Sequence, residues 1–383
     1  MFIPYGRQWI DDDDIAAVKK VLTSDFLTQG PEVVEFEQKI CSFTEAKHCI
    51  AVSNGTAALH LAVAALQIEA GYEGITSPIT FAASANCMCY NSLQPKFCDI
   101  DAKTYTMDPS KLENSVTDKT KLIVPVHFAG QPADMRAIQK IADAQHINII
   151  EDAAHAIGSV YQDGSPVGNC KYSDMTIFSF HPVKTITTGE GGAITTNNEE
   201  LYSRLLQLRS HGITKDPGKM LRNEGPWYYE MQELGYNYRL SDIHAALGSS
   251  QLDKLTDFKK RRRQIVEHYN SAFNDVEWIT TPFEAKGVDS CFHLYTILID
   301  FTRLQKSRTE VMDELRRKNI GTQVHYIPVH LQPFYKTHFS TAAGQFQVAE
   351  EYYKKTLSLP LYPKMSEADV LHVIEAVKGL EKC

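Results

Sequence analysis

Apolar residues recur along the first two thirds of the chain with two alternating periods. Ile15, Val18 and Leu22 share one helical face behind the four acids at 11–14, and Val33, Phe36 and Ile40 share another behind Pro31. Acids suit the first turn of a helix, where the helix dipole favours negative charge, and proline suits the first helical position. Asn54-Gly-Thr is a turn that opens into a third, strongly apolar helix. Short apolar runs at 75–80, 96–100, 122–128, 147–152, 175–180 and 193–196 predict strands, with a helical pattern over 135–145 among them. Strands interleaved with helices require crossover connections and therefore a mostly parallel sheet.

After Leu240 the texture changes. Ser241 can cap a long helix carrying Ile243, Leu247, Leu252, Leu255 and Phe258. A strand over 292–299, a helix over 308–318, a strand over 322–326 and a closing helix from Ser366 follow. The expected fold class is α/β: a large domain over 1–250, including an N-terminal arm of about 30 residues, and a smaller α+β domain over 251–383.

Composition removes several classes of function. The chain has 383 residues, 39 Lys+Arg against 47 Asp+Glu for a net charge of −8, and a hydrophobic fraction of 43%. That is apolar enough for a sizeable core, so disorder is excluded. The acidic balance argues against nucleic acid, which requires clustered positive charge. No apolar run approaches the ~20 residues of a membrane span, and residues 1–7 do not read as a secretory signal. The eight cysteines are too sparse for a disulfide framework, so all are expected as reduced thiols in a cytoplasmic protein. The 14 histidines show no tight ligand spacing, and no metal is expected. The run Lys259-Lys-Arg-Arg-Arg263 is read as a solvated helix face rather than a diphosphate clamp.

Parallel α/β sheets bind ligands beyond the carboxyl ends of their strands. The residues that end the predicted strands are Phe81, Phe128, Asp152 with His155, Ser179 with Lys184, and the Gly189-Glu-Gly-Gly turn. Asn54-Gly-Thr adds a helix N-terminus, whose outward N–H groups favour a phosphate. Taken singly, each has an ordinary structural explanation: a turn, a core ring, a helix cap, a surface charge. The glycine turn does not fit GxGxxG, which disfavours a dinucleotide fold. The conjunction of an anion cradle, an aromatic face, a carboxylate and a lysine in a glycine setting is what points to a site.

In chain order, Gly55-Thr-Ala-Ala-Leu, Ser77-Pro-Ile-Thr-Phe81, Glu151-Asp-Ala-Ala-His155, Ser179-Phe-His-Pro-Val-Lys184-Thr-Ile-Thr-Thr-Gly-Glu-Gly-Gly and Gly235-Tyr-Asn-Tyr-Arg239 span the chain. They resemble the DegT/DnrJ/EryC1/StrS family of pyridoxal-phosphate (PLP) nucleotide-sugar aminotransferases, of the aspartate-aminotransferase fold type. Ile3-Pro-Tyr-Gly-Arg-Gln, Ser24-Asp-Phe-Leu-Thr-Gln-Gly-Pro and Gln323-Val-His-Tyr are similar to its pseudaminic-acid branch. That branch aminates C4 of a UDP-4-keto-6-deoxy-N-acetylhexosamine with L-glutamate.

The resemblance implies roles. Lys184 would hold the PLP aldehyde and move the proton, and Asp152 would keep the ring nitrogen protonated. His155 would support Asp152 or the ring hydroxyl, or simply pack, and Phe81 would stack on the ring. Thr56, Ala57 and Ser179 would donate to the phosphate. Asn237 would reach the phosphate of a neighbouring subunit, implying a homodimer with shared active sites. Arg239 would fix a substrate carboxylate or serve a structural ion pair. The sugar nucleotide would lie against Tyr5, Asp25, Phe26, Leu27, Thr28, Gln323, Val324, His325 and Tyr326, with Thr56, Ser179, Asn237 and Arg239 also within its reach. A different UDP- or dTDP-keto-sugar is the nearest alternative. A non-catalytic PLP-binding regulator is another, but no DNA-binding extension is recognisable.

Overall fold

The computed structural model describes residues 2–381, so Cys383 lies outside the described residues. The first half of the chain is built on a seven-stranded sheet in the order β1-β7-β6-β5-β4-β2-β3. Its strands are β1 (His48–Val52), β2 (Glu73–Thr76), β3 (Gln94–Phe97), β4 (Thr120–Val124), β5 (Asn148–Asp152), β6 (Met175–Ser179) and β7 (Gly192–Thr196). Only β7 runs against the rest, pairing antiparallel with β1 and β6, so the sheet is mostly parallel. β3 holds Pro95, which cannot donate to a ladder, and it is an edge strand.

Alternation along the strands assigns residues to two layers. Ala51, Ile123, Ile149 and Phe178 join one apolar cluster with α1's neighbour Trp9 and with Phe36 and Ile40 of α2 (Pro31–Thr44), where α1 is Asp12–Leu22. Their strand neighbours Val52, Leu122, Ile150 and Ile177 join another with α3 (Gly55–Ala65). Burial on both faces is what parallel sheets require, and it explains the continuous apolar runs read from the sequence. On the α2 face also lies α4 (Met135–Gln145), whose Ile138 is fully buried.

The long helix predicted from Ser241 is two helices, α5 (Asp242–Asp253) and α6 (Leu255–Phe273), meeting at Lys254. Along α6 the cores change: Leu255 and Phe258 pack with the cluster on the α2 face of the large sheet, Ile265 and Phe273 with another cluster. The sequence division at 250/251 therefore meets a helix shared between both cores. The latter cluster surrounds a three-stranded antiparallel sheet of β8 (Ile279–Thr280), β9 (Tyr295–Ile299) and β10 (Thr356–Leu359), covered by α7 (Glu367–Lys378). Ile3 packs here too and bridges Ile320, so the start of the chain is tied to the cluster around this second sheet.

The expected strand over 322–326 is absent: only Gln323 bridges the sheet, at Ser358. The basic run is a further correction. Lys259 binds the Gly158 carbonyl at 2.8 Å and Asp289 at 2.6 Å, and Arg261 binds Glu367 at 2.7 Å. Arg262 is buried, and Arg263 holds Glu284 through two bonds of 2.7 and 3.1 Å. Lys260 alone is exposed to solvent; the other four residues of the run fasten α6 to the segments around it. The cysteines among the described residues are free thiols, and no described helix is long and apolar enough to cross a membrane.

Candidate active site

A cavity of about 930 Å³ opens beyond the carboxyl ends of the parallel strands, between the large sheet and the 323–332 segment. Asp152 ends β5 and Ser179 ends β6, and both line it, as do Thr56, Ala57, Phe81, His155, Lys184, Tyr5, Gln323, Val324, His325 and Tyr326.

Asp152 is 5% exposed. Its Oδ2 accepts from Ser84 at 2.6 Å and its Oδ1 from the Ala154 N–H at 3.1 Å. Because the one hydroxyl proton of Ser84 goes to Asp152, Thr80 donates to Ser84 at 2.6 Å in its turn. The backbone of Asp152 is pinned to one neighbouring segment through both its groups: its N–H donates to the Pro125 carbonyl at 2.9 Å and its carbonyl accepts from the His127 N–H at 3.0 Å. Its strand neighbour Glu151 points the other way, fully buried, and accepts from His127 at 2.7 Å and Ser173 at 2.5 Å. Alternation thus places one carboxylate in the cavity and spends the other on the core.

Lys184 follows β6 in a turn and makes no hydrogen bond or ion pair through Nζ among the described residues. Burial pulls its pKa down to about 8, against the pull of Asp152 in the other direction. His155 makes its hydrogen bonds elsewhere than to Asp152. Its Nδ1 accepts from the Ala129 N–H at 3.3 Å, so Nε2 bears the proton and donates to Tyr326 Oη at 3.1 Å. Burial and then the charge of Lys184 hold the His155 ring well below the usual imidazole range. The same causes bring His325 down to about 3. Of the readings open for His155, a hydrogen bond to Asp152 is the one not formed.

At the other end of the cavity, Asn54 caps α3 by accepting from the Ala57 N–H at 2.8 Å. This corrects the expectation for Ala57: its N–H is already taken by the cap, and the Gly55 and Thr56 N–H groups are the free donors of the first turn. Glycine is required at 55, where a Cβ would lie 2.8 Å from Ser179 Cβ, and at 192, where it would lie 2.6 Å from the Asn54 carbonyl. These approaches bring the helix start directly over the ends of β6 and β7.

Several expected residues are not brought together. Asp25, Phe26, Leu27 and Thr28 are exposed and do not line the cavity. Asn237 is exposed and Arg239 part-buried, on a strip that bridges Ser210 and Val52; neither lines the cavity, and Arg239 makes no ion pair among the described residues. Phe128 is core, packed edge-on to Tyr326. Conversely, the cavity wall includes His60, Tyr90, Tyr238 and His293, which nothing in the local sequence sets apart from core aromatics.

The residues present fit pyridoxal phosphate. An uncommitted, desolvated lysine amine can meet the aldehyde, and an anchored carboxylate the ring nitrogen. A helix N-terminus with two free N–H groups, flanked by the unbonded hydroxyls of Thr56 and Ser179, can meet the phosphate. Phe81, 62% exposed with its ring 6.3 Å from Tyr326, leaves a face open for stacking.

Comparison with known proteins agrees with this geometry. A model of the DegT/DnrJ/EryC1/StrS aminotransferase family matches residues 8–378. The spore coat polysaccharide biosynthesis protein SpsC of Bacillus subtilis is 42% identical over 100% of this chain and 97% of its own. Among solved structures, Helicobacter pylori PseC, an aminotransferase involved in the biosynthesis of pseudaminic acid, has a TM-score of 0.93 at 31% identity, covering 100% of both chains. The PLP form of Spr1654 from Streptococcus pneumoniae has a TM-score of 0.91 at 30% identity, covering 100% of this chain and 99% of that one.

Proposed function

The chain belongs to the DegT/DnrJ/EryC1/StrS aminotransferase family, and from that premise we propose that it moves an amino group from L-glutamate to C4 of a UDP-4-keto-6-deoxy-N-acetylhexosamine. It is a sugar aminotransferase that works with PLP, and the free, desolvated amine of Lys184 facing Asp152 is the observation that carries this. The likeness to PseC and the 3–8, 24–31 and 323–326 segments support the UDP-linked 4-keto substrate of the pseudaminic-acid branch. The higher identity to SpsC favours a second reading, another nucleotide keto-sugar used for a surface polysaccharide. Product analysis against a panel of UDP- and dTDP-keto-sugars separates the two. Amination of only the UDP-4-keto-6-deoxy-N-acetyl sugar supports the first, and turnover of only another keto-sugar rejects it.

In this reading each side chain has a task. When bound, PLP supplies an aldehyde for amines and an electron-accepting ring. Lys184 offers its neutral amine and afterwards holds the mobile proton at Nζ. Asp152, fixed by Ser84 and Ala154, faces the ring nitrogen as an acceptor. Gly55 and Thr56 N–H and the Ser179 hydroxyl hold the phosphate. Tyr5, whose ring lies 5.4 Å from His325, forms the sugar-facing wall with the 323–326 segment.

A homodimer is part of the proposal. Lys184 is the one Lys or Arg among the described residues lining the cavity, yet both proposed substrates carry net negative charge. Asn237 and Arg239, outside the cavity of their own chain, would serve the neighbouring one. Leu221 at 94% and Trp227 at 70% exposure are the apolar surface that a second copy would cover. A cytoplasmic location is proposed with it, supported by the free thiols.

A further inference from the structure

The 290–294 segment precedes β9 and reaches the cavity wall, where several bonds hold it. The Cys291 N–H donates to Ser159 Oγ at 2.9 Å and its thiol to the His155 carbonyl at 3.1 Å, while Ser159 Oγ donates to the Gly130 carbonyl at 2.7 Å. Gly130, at φ +99°, admits this close approach; a Cβ there would lie 3.0 Å from the Phe292 nitrogen and 3.1 Å from the His293 nitrogen. From α6, Arg262 donates to the carbonyls of Phe292 at 3.4 Å, His293 at 3.2 Å and Leu361 at 2.9 Å. This guanidinium is 1% exposed and pairs with no carboxylate. A buried cation is costly, so its commitment to these carbonyls marks the position they define.

What they define is a side chain bonded to nothing. His293 is 4% exposed and lines the cavity, its ring centroid 4.4 Å from that of His155. Its Nδ1 is sealed and without a partner among the described residues. Nε2 makes no hydrogen bond either, and is the ring nitrogen that keeps access to the cavity. Orphaned buried donors are rarer than orphaned acceptors, so Nδ1 carries the lone pair and Nε2 the proton. Burial, with His155, Lys184, Arg262 and His325 around it, keeps this ring neutral. Both nitrogens of neighbouring His155 are engaged, and His325 is bonded through Nδ1 to Ser358 at 2.8 Å, so His293 is the one of the three imidazoles with no hydrogen bond among the described residues.

A buried polar group without a partner calls for one. We propose that His293 is a binding residue of this active site, donating Nε2–H to an anionic oxygen brought in by the ligands. That oxygen is either the phenolic oxygen of the cofactor ring or a carboxylate of the amino donor. The inference rests on the aminotransferase reading and names a contact which that reading did not supply.

The test uses holoenzyme with His293→Phe, which removes the donor but keeps a ring, and His293→Gln, which keeps a donor. The pH midpoint of the cofactor's visible band and the KM for glutamate are read for each. Donation to the ring oxygen predicts a midpoint raised by about half a pH unit or more in His293→Phe and restored toward wild type in His293→Gln. Donation to the carboxylate predicts a KM about ten-fold higher in His293→Phe with the band in place. A midpoint and KM both unchanged in folded His293→Phe overturn the proposal. Should that variant not fold, the ¹⁵N imidazole signal of His293 in wild type must move on adding PLP or glutamate; a signal that stays still through both overturns it as well. A wild-type protein with no visible band would sink the aminotransferase reading and this inference with it, whereas a normal band with a silent His293 sinks this inference alone.

Discussion

At pH 7, an amine with the ordinary lysine pKa near 10.4 is neutral about four times in ten thousand. At a pKa of about 8 it is neutral roughly one time in ten, about a two-hundred-fold gain in nucleophile from burial alone. The same shift has a cost for the fold. Below pH 8 the amine is protonated in both states and its burial penalty is fully present; as pH rises from 8 to 10.5 the unfolded chain loses its proton too and the penalty fades. Apo Lys184→Met is therefore expected to exceed the apo wild type in stability by about 3 kcal/mol at pH 7, the difference shrinking toward pH 10.5 in urea unfolding. Equal stability at pH 7 would mean that the amine is not desolvated. Asp152→Asn keeps an acceptor for Ser84 but loses the charge facing the ring nitrogen, so turnover is expected to fall by roughly a hundred-fold or more with circular dichroism unchanged. A near-normal rate would hand the ring nitrogen to some other group.

In the proposed site, the element that would do most for the phosphate is the start of α3. Asn54→Ala removes the cap on the Ala57 N–H, which should cost about 1 kcal/mol in denaturant titration and weaken PLP binding in the same preparation. Lost stability without weaker binding would separate the cap from the cradle. Elements at this scale were readable where period and punctuation agree. The strands ending at Asp152 and Ser179 are short apolar runs closed by polar residues, and Asn54-Gly-Thr has the chemistry of a cap. Reading failed where local pattern and tertiary demand part. Residues 322–326 alternate like a strand, yet they leave the sheet after one bridge at Gln323, and 323–326 line the cavity instead. The basic run has the look of solvent exposure, but carbonyls and carboxylates from distant segments meet it. His293 stands in an apolar stretch like any core residue, and only its unfilled nitrogen, visible in three dimensions, marks it out.

For the molecule as a whole, the cavity draws on segments spread from Tyr5 to Gln332, and among the described residues Lys184 is the one Lys or Arg that lines it. If a second copy supplies Asn237 and Arg239, complementary defects should rescue each other. Lys184→Ala and Asn237→Asp preparations, each nearly inactive, should regain about a quarter of wild-type activity when subunits are mixed and reassociated, since half the dimers then hold one intact site. No recovery, in a protein shown to exchange subunits, would confine each site to its own chain.

The most direct measurement of the central claim is peptide mapping of the PLP-loaded protein after borohydride treatment. The account predicts a single peptide heavier by the reduced cofactor, with the modification on Lys184. Cofactor fixed to another lysine, or none fixed to the chain, would contradict it.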